Sequence, residues 1–278
     1  MPDPLTTWRF DALSSGLAIV LLAGYLWSAR RHDGWPASRT WCLVGGLCLW
    51  VGLRSSWLAV EDHVLFWPLA VQDVLLVGVV PLPLALARPW ELLPGRRRPL
   101  PPLVGSAVAI GTLAAIYLTP WDEARLRHGE LFQLTSVLLV LAGTALLGPL
   151  LGEGSAGYGH RVLVAFVDGL LDVLPGLAVL ASHGVIAQAW YAHHHAAWAP
   201  ALPKDEQLGG TAMVALSELV GLPALLVLLV QWVRADTGAA AIVDAQLDEL
   251  ATADPPAIDR PWWETDAGPL TERLHRKG

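Results

Sequence analysis

Residues 131–151 read LFQLTSVLLVLAGTALLGPLL, twenty-one positions without one Asp, Glu, Lys or Arg. At 1.5 Å per residue such a run makes a helix of roughly 30 Å, the thickness of the hydrocarbon core of a bilayer. Runs of comparable character recur at 13–29, 41–60, 63–88, 103–120, 161–183 and 211–233. The expected fold is therefore an all-α, polytopic membrane helix bundle of about seven transmembrane helices. The third run is long and carries Pro68, Pro81 and Pro83, so it is expected to kink and to end with its Pro-rich stretch at an interface.

Composition supports the same conclusion. Of 278 residues, 54% are hydrophobic and 15% charged, with a mean hydropathy of +0.47. A soluble domain carries roughly 25% charged residues. Fourteen Trp against four Tyr and four Phe fit a protein with side chains at the membrane–water interface. Residues 1–12 hold Asp3, Arg9 and Asp11 without a cluster of positive charge, so the first run reads as a retained helix. Cys42 and Cys48 lie six apart in one run, on different helix faces, and read as small apolar residues rather than a disulfide.

Basic residues orient the spans. The connections after spans one, three and five carry Arg30, Arg31, Arg39, Arg88, Arg96, Arg97, Arg98 and Arg161, and Arg234 follows the last span. The opposite side carries Arg9, Arg125, Arg127 and Lys204. The excess of positive charge predicts an outer N-terminus and an inner C-terminus. Residues 1–235 then form a transmembrane domain and 236–278 a cytoplasmic acidic tail. The tail contains Asp236, Asp244, Asp248, Glu249, Asp254 and Asp259, with Ile242, Val243, Leu247 and Leu250 spaced for a short amphipathic helix over 240–251. Trp262 and Trp263 either anchor the tail at the interface, dock it on a partner, or belong to a mobile segment.

On this topology His63, His128, His183, His193, His194 and His195 fall on the outer side, against His32, His160 and His275 inside. The segment Trp190-Tyr191-Ala192-His193-His194-His195-Ala196-Ala197-Trp198 is the sharpest local feature. Three adjacent imidazoles are candidate ligands for copper or zinc. On a helix, neighbours point about 100° apart and cannot all reach one ion. An extended loop would let two converge; the alternative is a polar interfacial loop.

A second set of candidates is charge inside the spans: Arg54, Asp73, Asp168, Asp172 and Glu218. A lone charge at mid-bilayer costs from about 3 kcal/mol upward, so such groups pair or face a wet cavity. Asp168 and Asp172 are i,i+4 and share a face. Arg54 is the only basic residue well inside a predicted span and is the expected partner of one carboxylate. An ion pair fixing helix packing, a proton or metal path, and an interface with another membrane protein all remain open. Ser55, Ser56, Ser136 and Ser217 lie in no nucleophile motif, and no nucleotide-binding Gly pattern occurs, so neither an enzyme nor a nucleic-acid binder is expected.

Several segments in order resemble one family. Trp35-Pro36-Ala37-Ser38-Arg39 precedes span two. Span three holds Val71-Gln72-Asp73-Val74-Leu75-Leu76 and then Val80-Pro81-Leu82-Pro83-Leu84-Ala85-Leu86-Ala87-Arg88-Pro89. Asp205-Glu206-Gln207-Leu208-Gly209-Gly210 precedes the last span, which exits through Gln231-Trp232-Val233-Arg234-Ala235-Asp236. Over roughly residues 8–250 the chain resembles the CtaG-like cytochrome c oxidase assembly factors that accompany caa-type oxidases, in particular their actinobacterial members. The resemblance implies a seven-helix bundle of the bacterial cytoplasmic membrane that supports maturation of the oxidase catalytic subunit, helping copper reach it from the outer side. It also implies histidine pairs in spans three and five, where this chain has Leu69 and Asp73, and Phe132 and Ser136. The metal candidates are then His193, His194 and His195 with Asp73, and copper is the expected cofactor if any is bound. Two other readings stand beside it: a proton- or ion-coupled transporter using Arg54, Asp73, Asp168 and Asp172, and a non-catalytic subunit of a membrane complex.

Overall fold

The computed structural model describes residues 7–92, 101–151, 158–182, 184–194 and 196–253, and among these no strand occurs. The helices are α1 (Ala12–Ala29), α2 (Ala37–Ser55), α3 (Trp57–Glu61), α4 (Phe66–Val74), α5 (Pro81–Leu86), α6 (Pro102–Tyr117), α7 (Trp121–Arg127), α8 (Gly129–Leu151), α9 (Tyr158–Asp172), α10 (Leu174–Ala181), α11 (Gln188–His194) and α12 (Leu202–Ala253). Among the described residues six stretches are long and apolar enough to cross a membrane, or seven if one bent helix pair counts as a span. Large apolar side chains stand exposed along them, among them Ile19, Leu141, Phe166, Leu170 and Leu226. Such faces are untenable in water over so wide an area and suit a lipid surround.

The ends of the helices follow from local chemistry. Asp11 caps α1, its carboxylate accepting from the Leu13 and Ser14 amides at 3.2 Å each. Residues 75–79 form a π-helical turn between α4 and α5, with the Val80 amide donating to Leu75 at 3.0 Å. Pro81 follows directly, and having no N–H it cannot satisfy the Val77 carbonyl as an α-helix would. Gly143 of α8 passes that carbonyl so closely that a Cβ there would overlap it. The Pro-rich third span thus carries a π turn, accommodated by a glycine on its neighbour.

The fourth predicted span, 103–120, differs from expectation. Helix α6 stops at Tyr117 and the chain bends by 71° into α7. Pro120 stands at the bend, and the Thr119 hydroxyl accepts from the Trp121 amide at 3.2 Å. Trp121 Nε1 then donates to Thr135 Oγ1 of α8 at 2.9 Å, so α7 is held against the bundle. Residues expected in an outer loop are carried inward.

Residues 7–228 form one compact unit and residues 229–253 belong to a second. The second is helical throughout its described length, so the short helix expected over 240–251 is part of α12 rather than a separate element. Cys42 and Cys48 are free thiols. Trp262, Trp263, His183, His195, His275 and Arg96 to Arg98 lie outside the described residues.

Candidate functional site

One end of the first unit gathers the start of α1, the end of α2, the 62–65 connection, α4, α7, the first turns of α8, α11 and the start of α12. The side chains they bring together are charged and buried. Arg54, 1% exposed, donates from Nε to Asp11 Oδ2 at 3.3 Å and from Nη1 to Gln72 Oε1 at 3.0 Å. Its Nη1 also stands 3.7 Å from Asp62 Oδ2. Gln72 in turn donates to the Leu53 carbonyl at 3.2 Å, and Gln133 of α8 donates to Asp11 at 3.2 Å.

Arg125 of α7 forms the second centre. It reaches Asp73 with two prongs, Nη1 to Oδ1 at 3.1 Å and Nη2 to Oδ2 at 2.6 Å. Its Nε and Nη2 also contact Asp122 Oδ1 at 2.9 and 2.6 Å. Tyr117 donates to Asp73 Oδ2 at 2.7 Å. Phe132 lies between the two centres, its ring 4.7 Å from the Arg54 guanidinium carbon and 6.0 Å from that of Arg125. Bidentate charge-assisted pairs of this kind are among the stronger polar contacts, and removing one partner strands the other in low dielectric.

The 62–65 connection sits against this cluster. Burial pushes the Asp62 carboxyl up to about 7 against the pull of Arg54, Arg9 and Arg125. Burial, aided by the positive charge of Arg9 and Arg54, pulls the His63 imidazole down to about 4. His63 is therefore neutral at pH 7, packed 4.9 Å from the Phe132 ring, with Nε2 3.6 Å from Asp62 Oδ1. Burial also raises Asp11, but the Ser14 amide, the Gln133 amide group and the Arg54 charge outweigh it and leave that carboxyl below its usual range.

Helix α11 lies over the connection. Trp190 Nε1 donates to the His63 carbonyl at 2.9 Å, and Tyr191 is fully buried. His193 and His194 are exposed in the last turn of α11. Each turns Nδ1 to the carbonyl four residues earlier, at 2.8 and 2.9 Å, and His194 stacks on Trp190 at 3.9 Å. The segment read as a loop is helical through His194, so these two imidazoles diverge.

The acidic pair before the last span also has defined work. Asp205 accepts from the Phe66 amide at 2.8 Å and the Trp67 amide at 3.2 Å, capping α4 from 139 residues away. Glu206 accepts from Ser182 at 2.8 Å. A Cβ on Gly209 would strike the Phe66 ring, so the segment's glycine allows that approach.

Of the five intramembrane charges, the structure brings Arg54 and Asp73 into one cluster but does not pair them. Arg54 takes Asp11 and Asp62, and Asp73 takes Arg125. Asp168 and Asp172 lie elsewhere, beside a cavity with Ser217, and Glu218 is exposed nearby. Sequence reasoning missed Arg125, Asp122 and Asp11. The available signals were the Thr119-Pro120 break, the i,i+3 spacing of Asp122 and Arg125, and the position of Asp11 immediately before an apolar run.

A buried copper site does not fit these residues. Both Asp73 oxygens are engaged by Arg125 and Tyr117, Leu69 offers no donor, Phe132 faces two guanidiniums, and Ser136 accepts from Trp50 Nε1 at 3.0 Å. Copper(I) favours thiolate, thioether or imidazole, and two arginines repel any cation. Among the described residues no group of three His, Cys, Asp or Glu side chains is arranged to hold a metal ion.

A family model described as "Cytochrome c oxidase caa3 assembly factor (Caa3_CtaG)" matches residues 20–235. The chain is 23% identical over 282 residues to an uncharacterized protein of Mycobacterium leprae, covering 90% of this chain and 43% of that protein. Uncharacterized proteins of Mycobacterium bovis and Mycobacterium tuberculosis match at 24% identity over 277 residues, covering 88% of this chain and 42% of each relative. The chain thus spans less than half the length of these curated relatives. No solved structure matches it.

Proposed function

The chain belongs to the cytochrome c oxidase caa3 assembly factor family, and we propose that it supports assembly of such an oxidase in a bacterial cytoplasmic membrane, by holding the catalytic subunit within the bilayer. The observation that carries this reading is the extent of the family match, which runs from within α1 to within α12 and so takes in nearly all the described bundle. The function attaches to the membrane helices themselves. The role proposed is that of a scaffold.

The residues support a division of labour. The Arg54 and Arg125 centres tie α1, α2, α4, α7 and α8 together at one end, and the excess of Arg and Lys on the other connections supports reading it as the outer one. The exposed apolar faces of the helices are available to lipid and to the transmembrane helices of a partner. A rigid end and an apolar flank suit a protein that presents a fixed surface to an incompletely assembled subunit.

Copper handling is the finer part of the proposal. It rests on the imidazoles of α11, not on the buried cluster. With Nδ1 engaged, His193 and His194 each keep Nε2 as the nitrogen open to a ligand, and His195 is next in sequence.

The test is recovery of the tagged chain from native membranes of the bacterium that encodes it. The oxidase catalytic subunit is expected to co-purify, enriched when assembly is stalled by copper depletion. Its absence under both conditions would remove the proposal, and recovery in fixed stoichiometry with mature oxidase would make the chain a resident subunit instead.

A further inference from the structure

The π-helical turn at 75–79 borders a cavity of ≈ 70 Å³ that the cluster at the bundle end does not touch. Its walls come from α4, the π turn, α6, α8, α9 and the part of α12 up to Leu228, all within the first unit. At roughly 10–15 Å³ per water it has room for about five waters or a ligand of about five heavy atoms. The lining is aliphatic, with Leu146, Leu150 and Leu225 among it, except for three polar residues: Asp168, Asp172 and Ser217.

The carboxylates make this unlike an ordinary packing void. Asp168 is 5% exposed, and its Oδ1 is buried with no hydrogen-bond partner. Ser106 of α6, 7% exposed, is the polar side chain that interacts with this carboxyl. Asp172, one turn on, lies within electrostatic reach of Asp168 and Glu218. No Arg or Lys lines the cavity. Buried polar atoms are nearly always satisfied in native proteins, and an unpaired carboxylate in a bilayer is costly. Two acids on one helix face, lining a space that apolar walls complete, suit a small cation with an apolar body.

We propose that the cavity binds small monovalent alkylammonium ions. The ammonium group would sit between Asp168 and Asp172, where its three N–H donors match the free carboxylate oxygen and the neighbouring acceptors. The methylenes would lie along Leu146, Leu150 and Leu225. A metal ion is a poorer match, because no third His, Cys, Asp or Glu converges on the pair among the described residues. The site is independent of the oxidase role and of copper.

The experiment is calorimetric titration of the full chain in lipid nanodiscs with n-butylammonium, and with n-butanol as the uncharged molecule of similar shape. Saturable binding of the ammonium at millimolar concentration or tighter is expected, at least tenfold tighter than the alcohol. Asp168→Asn and Asp172→Asn are each expected to weaken ammonium binding at least tenfold, while Glu123→Gln, which removes a carboxylate of α7 outside the cavity lining, leaves it unchanged. Equal affinity for the two compounds, no binding by the native chain, or unchanged affinity in both Asn variants would overturn the proposal. The comparison of ammonium with alcohol on the native chain stands even if a variant fails to fold.

Discussion

Arg125 and Asp73 meet in a two-pronged ion pair, 3.1 and 2.6 Å between donor and acceptor atoms, across a sequence separation of 52 residues. The pair is 2–3% exposed and joins α7 to α4. Arg125→Gln leaves Asp73 and Asp122 buried without a cation, a change that typically costs about 3–5 kcal/mol. A marked drop in thermal unfolding temperature is expected in nanodiscs. Asp73→Asn introduced with Arg125→Gln is expected to recover part of that loss, because the stranded charge is removed with its partner. Strict additivity of the two substitutions would show that the pair is not coupled.

Asp62 and His63 contribute pH dependences of opposite sign. The unfolded chain holds Asp62 ionised above pH 3.8, while the folded chain keeps it protonated until about 7. Its contribution therefore falls as pH rises through that window. His63 is protonated in the unfolded chain below 6.5 and neutral in the folded chain above about 4, so its contribution rises with pH over nearly the same range. Each slope is at most about 1.4 kcal/mol per pH unit. The native chain is expected to show a shallow pH dependence between 4 and 6.5. His63→Gln should expose a fall in unfolding temperature with rising pH, and Asp62→Asn a rise. Unfolding temperatures measured across pH for the three proteins check the signs.

Gly143 is needed where α8 passes the π turn. Gly143→Ala would place a methyl onto the Val77 carbonyl, backbone against backbone, where no side chain can rotate away. Destabilisation of about 1–3 kcal/mol is expected. Gly111→Ala, in a helix with nothing within 4 Å of the added carbon, should be neutral or stabilising. Thermal unfolding of the two variants separates close packing from helix propensity.

Asp205 caps a helix that begins 139 residues before it. Asp205→Ala should cost about 0.5–2 kcal/mol. It should also speed hydrogen exchange at the Phe66 and Trp67 amides, which lose their acceptor. Exchange at these two amides unchanged from the native chain would remove the capping role.

What could be read from sequence was what the bilayer dictates. A run such as 131–151 has few alternatives to a spanning helix, and its boundaries agree with α8 to within two residues. Arg125 could not be read the same way. Its segment has the polarity of a connection, and only the bend after Tyr117 turns it inward to Asp73. Arg54 was legible as a buried charge, but its partners Asp11 and Asp62 lie just outside the apolar runs, where composition places them in water. The triple histidine had the residue types of a metal site. Whether they converge depends on backbone conformation, and α11 is helical through His194. The Asp205-Glu206 segment carried family resemblance in sequence, while its work as a cap depends on a contact no local pattern encodes.

A role in assembly is tested most directly by the amount of mature oxidase in membranes of a strain lacking this chain. Haem a absorbance and oxygen consumption with reduced cytochrome c are expected to fall together. Transcripts of the oxidase subunits should remain at their normal level, and expression of the native chain should restore both readings. Full oxidase content and activity in the deleted strain would contradict the account.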